Sequence, residues 1–451
     1  MSDVLPALPR YEAYKDSGVE WIGEIPLDWT IEPIMALLAE RNEKNDPIKT
    51  DNILSLTMDR GVIPYSEKGL SGNKAKEDLT AYKLAYPGDI VLNSMNVIAG
   101  SVGLSKYFGA VSPVYYMLYP RKKEDVISYF DSIFQNEAFQ KSLIGLGNGI
   151  LIKKSASSGK LNTIRMRIPM SRLNRVCIPY PKPSQQTAIA AFLDCKTSKI
   201  DRAVAIKKKQ IQLLKEHKQI LIQTAVTKGL DSNVPMRHPG IDWIGEIPSH
   251  WDKKRFKNFF SQSRLPTRPN DGVVTSYRDG QVTLRSNRRL DGYTEAVLEQ
   301  GYQGIRKGQL VLNSMDAFEG AIGVSDSDGK CTPEYVICDP ISNELLPEYF
   351  AYLLREMALK KYIQVICNAV RQRAVRIRYN NLVKRFLIVP PFDEQTAIVA
   401  HIRTQSAKID KAVAVQEQMI ARLREYKSVL INAAVTGKIR VPVQTPEKVV
   451  T

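Results

Sequence analysis

From Thr187 to Thr227 the chain runs without proline or glycine, and apolar residues stand at Ile189, Leu193, Ile200, Val204, Ile211, Leu214, Leu221 and Ala225. The same spacing returns at Ile398, Ile402, Ile409, Val413, Ile420, Leu423, Leu430 and Ala434. Gaps of three, four and seven residues keep one stripe on one helix face, with Lys, Gln and Glu elsewhere. Each stretch predicts a helix ~60 Å long. A helix of that length with a single stripe needs a partner to bury it. The economical partner is the other copy, so Ile189 through Leu221 and Ile398 through Leu430 are expected to form a helix-pair core. Prolines in "IPYPKPS" and "IVPPFDE" stop the preceding strands and start the helices, and Gly229 and Gly437 end them.

Between these helices the pattern is mixed. Short β-rich runs, "DIVLNSM", "AVSPVYYMLYP" and "QLVLNSM", are broken by glycine and proline. A helical stretch follows each set, at "ISYFDSIFQNEAFQKSLI" and "PEYFAYLLREMALKKYIQVI". The two intervening regions read as α+β domains of roughly 160–180 residues, an ordinary domain size.

The halves repeat one another. "WIGEIP" begins at Trp21 and again at Trp243. "GDIVLNSMNVIAGSVGLS" from Gly88 answers "GQLVLNSMDAFEGAIGVS" from Gly308, and "QTAIAAFLDCKTSKIDRAVA" from Gln186 answers "QTAIVAHIRTQSAKIDKAVA" from Gln395. The offset between copies drops from 220 to 209 along the chain, so the first half carries extra residues near "GLGNGILIKKSASSGK". Two large units in tandem are a duplication, not a solenoid of short repeats. The boundaries read as 1–183 and 233–392 for the globular regions, 184–232 and 393–440 for the helices, and 441–451 for a flexible tail.

Composition narrows the setting. The chain has 451 residues, 43% hydrophobic and 25% charged, enough for more than one core. No apolar run approaches the roughly 20 residues that span a bilayer. No signal peptide opens it, and the five cysteines form no CxxC pair, so a cytoplasmic location without a membrane is expected. Sixty-four Lys and Arg against 47 Asp and Glu give a net charge of +17, which favours a polyanionic partner. A basic but ordinary enzyme is the competing reading.

No catalytic constellation is found. "VPPF" (Val389–Phe392) lacks the Asp or Asn that an amino-methyltransferase loop places first, and reads as a strand-to-helix break. "GLGNG" (Gly145–Gly149) follows a helical stretch rather than a strand, and "TGK" (Thr436–Lys438) lacks the following hydroxyl of a phosphate loop. "EHK" (Glu216–Lys218) and "EYK" (Glu425–Lys427) lie on the long helices and read as solvated faces.

Basic residues cluster instead. One loop holds Lys153, Lys154, Lys160, Arg165 and Arg167; at the corresponding place the second half holds Arg371, Arg373, Arg376 and Arg378. Arg278, Arg285, Arg288 and Arg289 form a further patch, and Arg60 another. Arginine in a polar loop reaches phosphates and the O6/N7 edge of guanine, and Gln281, Asn287 and Gln372 suit adenine. A generic solvated loop is the plainer alternative. Asn93 and Asn313 of the repeated "LNSM" suit a turn, and Trp21 and Trp243 suit packing.

"YKDSGVEWIGEIPLDW", "YPGDIVLNSM" with "GAVSPVYYMLYP", and "IVPPFDEQTAIVAHI" running into "LINAAVTGKI" resemble the specificity subunits of Type I restriction–modification systems over essentially the whole chain. One departure is "PSQQ" where the second half has "FDEQ". The resemblance implies two similar target-recognition domains separated by two long antiparallel helices in a pseudo-twofold repeat. It implies a non-catalytic reader of double-stranded DNA with a bipartite asymmetric site, one half per domain, the spacing set by the helix pair. It implies two modification subunits using S-adenosylmethionine and two restriction subunits using ATP and Mg, with no cofactor in this chain. A stand-alone DNA-modifying enzyme and a non-specific nucleic-acid-binding scaffold are the alternatives.

Overall fold

A computed structural model describes residues 9–58, 60–68, 75–148, 167–288, 301–367 and 376–443, with the strand backbone at 153–154 and 161–162. It divides into two compact units, Met1–Lys208 with Gln418–Thr451, and Lys209–Glu417.

In the first unit, four antiparallel strands lie in the order Leu38–Arg41, Tyr115–Pro120, Ile90–Asn93, Val102–Leu104. In the second, the order is Phe260–Gln262, Tyr335–Pro340, Leu310–Asn313, Ile322–Val324. The register matches: Leu118 opposes Ile90, and Cys338 opposes Leu310. Strand alternation explains why "IVLN" and "LVLN" are nearly all apolar. Ile90 and Leu92 enter the larger core of the first unit, while Val91 joins Met117, Leu54 and Val62 in a second core across the sheet. Leu310, Leu312 and Val311 divide in the same way in the second unit. Both sheet faces are buried, so both need apolar side chains.

The helical stretches differ between copies. In the first unit the helix stops at Phe134, and a new one, Glu137–Ser142, starts behind Asn136, whose side chain accepts the Ala138 N–H. In the second unit Glu356 stands at the position of Asn136, and one helix runs Pro347–Leu359.

The long helices span Pro183–Lys228 and Phe392–Val435. They end four and five residues before the expected limits at 232 and 440, because Gly229 and Gly437 turn the chain out at φ 77° and 70°. A Cβ on Gly437 would collide with the ring of Pro26, so no other residue fits there. The helices also contribute side chains to the globular cores at their ends. Ile189, Leu193, Leu430 and Val435 lie in the globular core of the first unit, and Ile222, Val226, Ile398 and Ile402 in that of the second. Each unit thus holds the start of one helix beside the end of the other, which makes the pair antiparallel. Ile200, Ile409 and Ile420 are buried further along the stripe, while Val204, Ile211, Leu214, Leu221, Val413 and Leu423 are half-buried.

Two repeat-related ion pairs record the register: Lys427 to Asp201 at 2.6 Å in the first unit, and Lys218 to Asp410 at 2.8 Å in the second. The lysines of "EHK" and "EYK" are therefore committed to helix pairing rather than merely solvated. Partial exposure limits each pair to about 1 kcal/mol or less, so they specify alignment more than stability. The helix ends are tied more firmly. Tyr129 Oη donates to Val435 O (3.4 Å) and Pro179 O (3.0 Å), and Tyr349 Oη donates to Val226 O (3.0 Å). Buried tyrosines thus satisfy carbonyls that helix termini leave open.

Candidate nucleic-acid interface

The repeated "LNSM" turns lie at the base of the candidate basic loops. Asn93 Oδ1 accepts the Met95 N–H at 3.0 Å, and Asn313 Oδ1 the Met315 N–H at 3.1 Å. The next carbonyl in each turn, on Ser94 or Ser314, accepts the N–H of Ile168 or Ile377. Those isoleucines are buried immediately after Arg167 and between Arg376 and Arg378. The turn therefore anchors the base of each basic loop, a role its repetition alone did not disclose. Arg167 is exposed and bridges Asn148 through two backbone hydrogen bonds. Arg376 lies 3.9 Å from Glu334, and Arg378 precedes the short helix Tyr379–Leu382, its N–H donating to Asn381 Oδ1. Lys160, Arg165, Arg289, Arg371, Gln372 and Arg373 lie outside the described residues, as do the side chains of Lys153 and Lys154.

A hairpin carries the other candidate patch. In the second unit Val274–Ser276 pairs with Val282–Leu284 around a turn in which Gly280 adopts φ 91°. Arg288 stacks over the Tyr277 ring at 4.2 Å and pairs with Asp279 at 2.6 Å. Arg278 pairs with Asp316 at 3.0 Å and with Glu319. Hydrogen bonding to these carboxylates raises the pKa of both guanidinium groups. Arg285 Nε donates to Thr275 Oγ1 at 3.4 Å, and Asn287 donates to Thr283 Oγ1 at 3.0 Å, leaving Gln281 and Asn287 exposed. The arginines are thus held by acids in fixed, partly exposed poses, which lowers the ordering cost of meeting a ligand. In the first unit Arg60 occupies the turn between Leu54–Thr57 and Gly61–Pro64, and Nη2 donates to Glu67 O at 2.9 Å.

Beside Arg60 lies a cleft of about 520 Å³, lined also by Asp131, Gln135, Arg424 and Lys427. Asp131 Oδ2 accepts from Gln135 Nε2 at 2.6 Å, and Oδ1 is sealed with no partner among the described residues. Burial pushes this carboxyl up to about 7. Between the ordinary carboxylate range and that value the folded chain holds a proton the unfolded chain has released, so stability falls as pH rises through this window. Asp131→Asn removes that penalty. The stability of the variant relative to the parent is expected to grow from pH 4 to pH 8, read from thermal melts; a constant difference rules the account out.

Trp243 is buried, and Trp21 packs edge-on against Phe139 at 5.3 Å, so both serve packing. "VPPF" joins the strand Phe386–Val389 to the second long helix. The departure "PSQQ" has a local consequence. Glu394 accepts from Trp251 Nε1 (2.9 Å) and His250 (2.6 Å), whereas Gln185, at its place in the first half, donates to Asp28 at 3.3 Å. The carboxylate has moved from the helix to the loop. The following glutamine is unaffected: Gln186 and Gln395 are buried and accept the N–H of Val126 and Leu346.

Among the described residues, no cluster of three or more His, Cys, Asp or Glu is placed to hold a metal ion. No helix there is long and apolar enough to cross a membrane. Sequence reading missed Arg355, Arg403 and Lys307, which line a cleft in the second unit. The available signal was "LLREMAL", where a charged pair interrupts the apolar face of a helix.

No protein-family model matches the chain. It is 21% identical over 311 residues to the Type I restriction enzyme EcoBI specificity subunit of Escherichia coli, covering 63% of each chain. It thus spans under two thirds of that relative. It is 22% identical over 460 residues to the EcoKI specificity subunit of Escherichia coli strain K12, covering 92% of this chain and 90% of that one. A solved chain from a type I R-M system superposes with a TM-score of 0.63 at 13% identity, over 91% of this chain and 98% of its own.

Proposed function

We propose, on the premise that the chain belongs with the specificity subunits of Type I restriction–modification systems, that it is a non-catalytic reader of double-stranded DNA. The observation that carries this reading is the recurrence, in two units of matched strand register, of a basic loop sequence and of a hairpin turn that carries arginine. Each unit reads one half of a bipartite site. Because the loops differ in sequence between copies, the site is asymmetric. Helices of 46 and 44 residues extend about 65–70 Å, ample to separate readers by successive major-groove faces, which recur every ~34 Å.

The repeated opening segments offer equivalent surfaces to two modification subunits, which methylate adenine with S-adenosylmethionine; two restriction subunits supply the steps that use ATP and Mg. Bases are read by arginine and amide side chains in the loops, and phosphates position the units. Selection of the full chain with its modification subunits against random duplexes tests the reading. Two short motifs separated by a fixed unread gap are expected; a continuous motif, or none, overturns it. Methyl transfer or cleavage by the purified chain alone would instead favour a stand-alone enzyme.

Replacing Arg371, Arg373 and Arg376 together with alanine is expected to weaken binding by ~10²-fold or more, since each arginine that reads a base supplies about 1–3 kcal/mol. Sequence preference should relax only in the half-site read by the second unit. Equal relaxation in both halves, measured by repeating the selection, contradicts a modular reader.

A further inference from the structure

We propose that the cleft floored by Arg355 in the second unit is a phosphate site, which takes one phosphodiester of the duplex at that unit's half-site, and that the first unit lacks its counterpart. The duplex assignment rests on the proposed function. The cleft, about 470 Å³, lies between the hairpin turn at Asp279–Gln281, the strand Ile322–Val324, the helix Pro347–Leu359 and Arg403. Arg355 is half-buried, and its Nε is sealed from solvent without a hydrogen-bond partner among the described residues. The guanidinium lies against Gly280, where a Cβ would stand 2.5 Å from Nη1.

The acids around it are engaged elsewhere. Asp279 is held by Arg288 at 2.6 Å, Glu348 by Arg403 at 3.1 Å, and Asp326 accepts from Ser327 Oγ at 2.5 Å. A guanidinium stays charged at any working pH, so one whose Nε is desolvated without a partner gains from an anion that its terminal N–H groups can reach. Its planar fork matches a phosphate with two parallel hydrogen bonds.

Two observations choose the source. The cleft's rim is the turn that carries Arg278 and the Asp279 to which Arg288 pairs, so the site continues the candidate DNA surface. The repeat supplies the second. Gln135 occupies the position of Arg355, and Asp131 that of Ala351, so the first unit's cleft lacks this guanidinium, and its own cations, Arg60, Arg424 and Lys427, come from other positions. Two copies of one modification subunit would ask the same chemistry of both units. An asymmetric DNA site would not.

The test uses the full chain and the duplex obtained by selection. R355Q installs the residue that the first unit carries. Its affinity is expected to fall about tenfold or more, as for loss of a charged hydrogen bond. The slope of log affinity against log salt should become shallower by about 0.9, the value for one neutralised phosphate. Q135A should leave the slope unchanged. Separately, inorganic phosphate at matched ionic strength should raise the Tm of the parent but not of R355Q. A structural role alone would lower the Tm of R355Q in chloride and leave the slope intact, which overturns the proposal.

Phosphate stabilisation with an unaltered DNA slope would mean a free-phosphate site, and overturns the duplex assignment. If R355Q does not fold, the parent's phosphate response decides, with A351D, which adds the first unit's carboxyl, expected to abolish it. No response in the parent overturns the proposal. A parent that binds no bipartite duplex refutes the proposed function instead, while the phosphate response still tests the cleft.

Discussion

Removing residues 206–212 and 416–422, seven from the middle of each long helix, is expected to shorten the unread gap by about three base pairs. Seven residues are ~10.5 Å of helix, and base pairs rise ~3.4 Å. The length of the cut matters. Seven residues are close to two helical turns, so the apolar stripe stays nearly in phase across the cut. Both ion pairs, Lys427–Asp201 and Lys218–Asp410, lie outside the cut segments. The buried ends of the helices also stay in place. On the parent site the shortened chain can engage one half only, so affinity should fall toward the non-specific level, a drop of ~10³-fold or more. Repeating the selection on the shortened chain checks the gap directly. An unchanged gap would show that the helices do not set it.

The second large effect concerns stability. Trp251→Ala is expected to cost about 3–5 kcal/mol, the usual range for a large aromatic removed from a core. Trp251 is fully buried, meets Tyr349 edge-on at 6.4 Å, and lies 3.2 Å from where a Cβ on Gly229 would stand. It joins the opening segment, the helix terminus and the helix of the globular region at one point. Its Nε1 also satisfies Glu394, so truncation leaves a carboxylate short of a donor. Trp251→Phe keeps most of the packing and should cost far less. Urea midpoints followed by circular dichroism separate the two. Equal, small effects would mean that the segment docks a partner rather than packing the fold.

Several features were legible from residue types alone. A helix face declares itself through its 3.6-residue period, so both long helices could be read to within five residues at each end. Duplication declared itself through identical strings, and matched strand registers followed from it. Turn chemistry was equally local: Asn93 and Asn313 bond two residues ahead, within reach of their own backbone. The site was less legible. Arg278 and Arg288 were visible as charge, but not the acids that orient them, because Asp316 is 38 positions from Arg278 in the chain.

Periodicity names the face a helix must bury but not what covers it. That the stripe serves the globular cores at its ends and the partner helix between them was settled by packing, which joins residues hundreds of positions apart, as in Tyr129 and Val435. Arg355 illustrates the same limit. Charge is a property of the residue, but its desolvation and its want of a partner belong to the neighbours, and only folding assembles those.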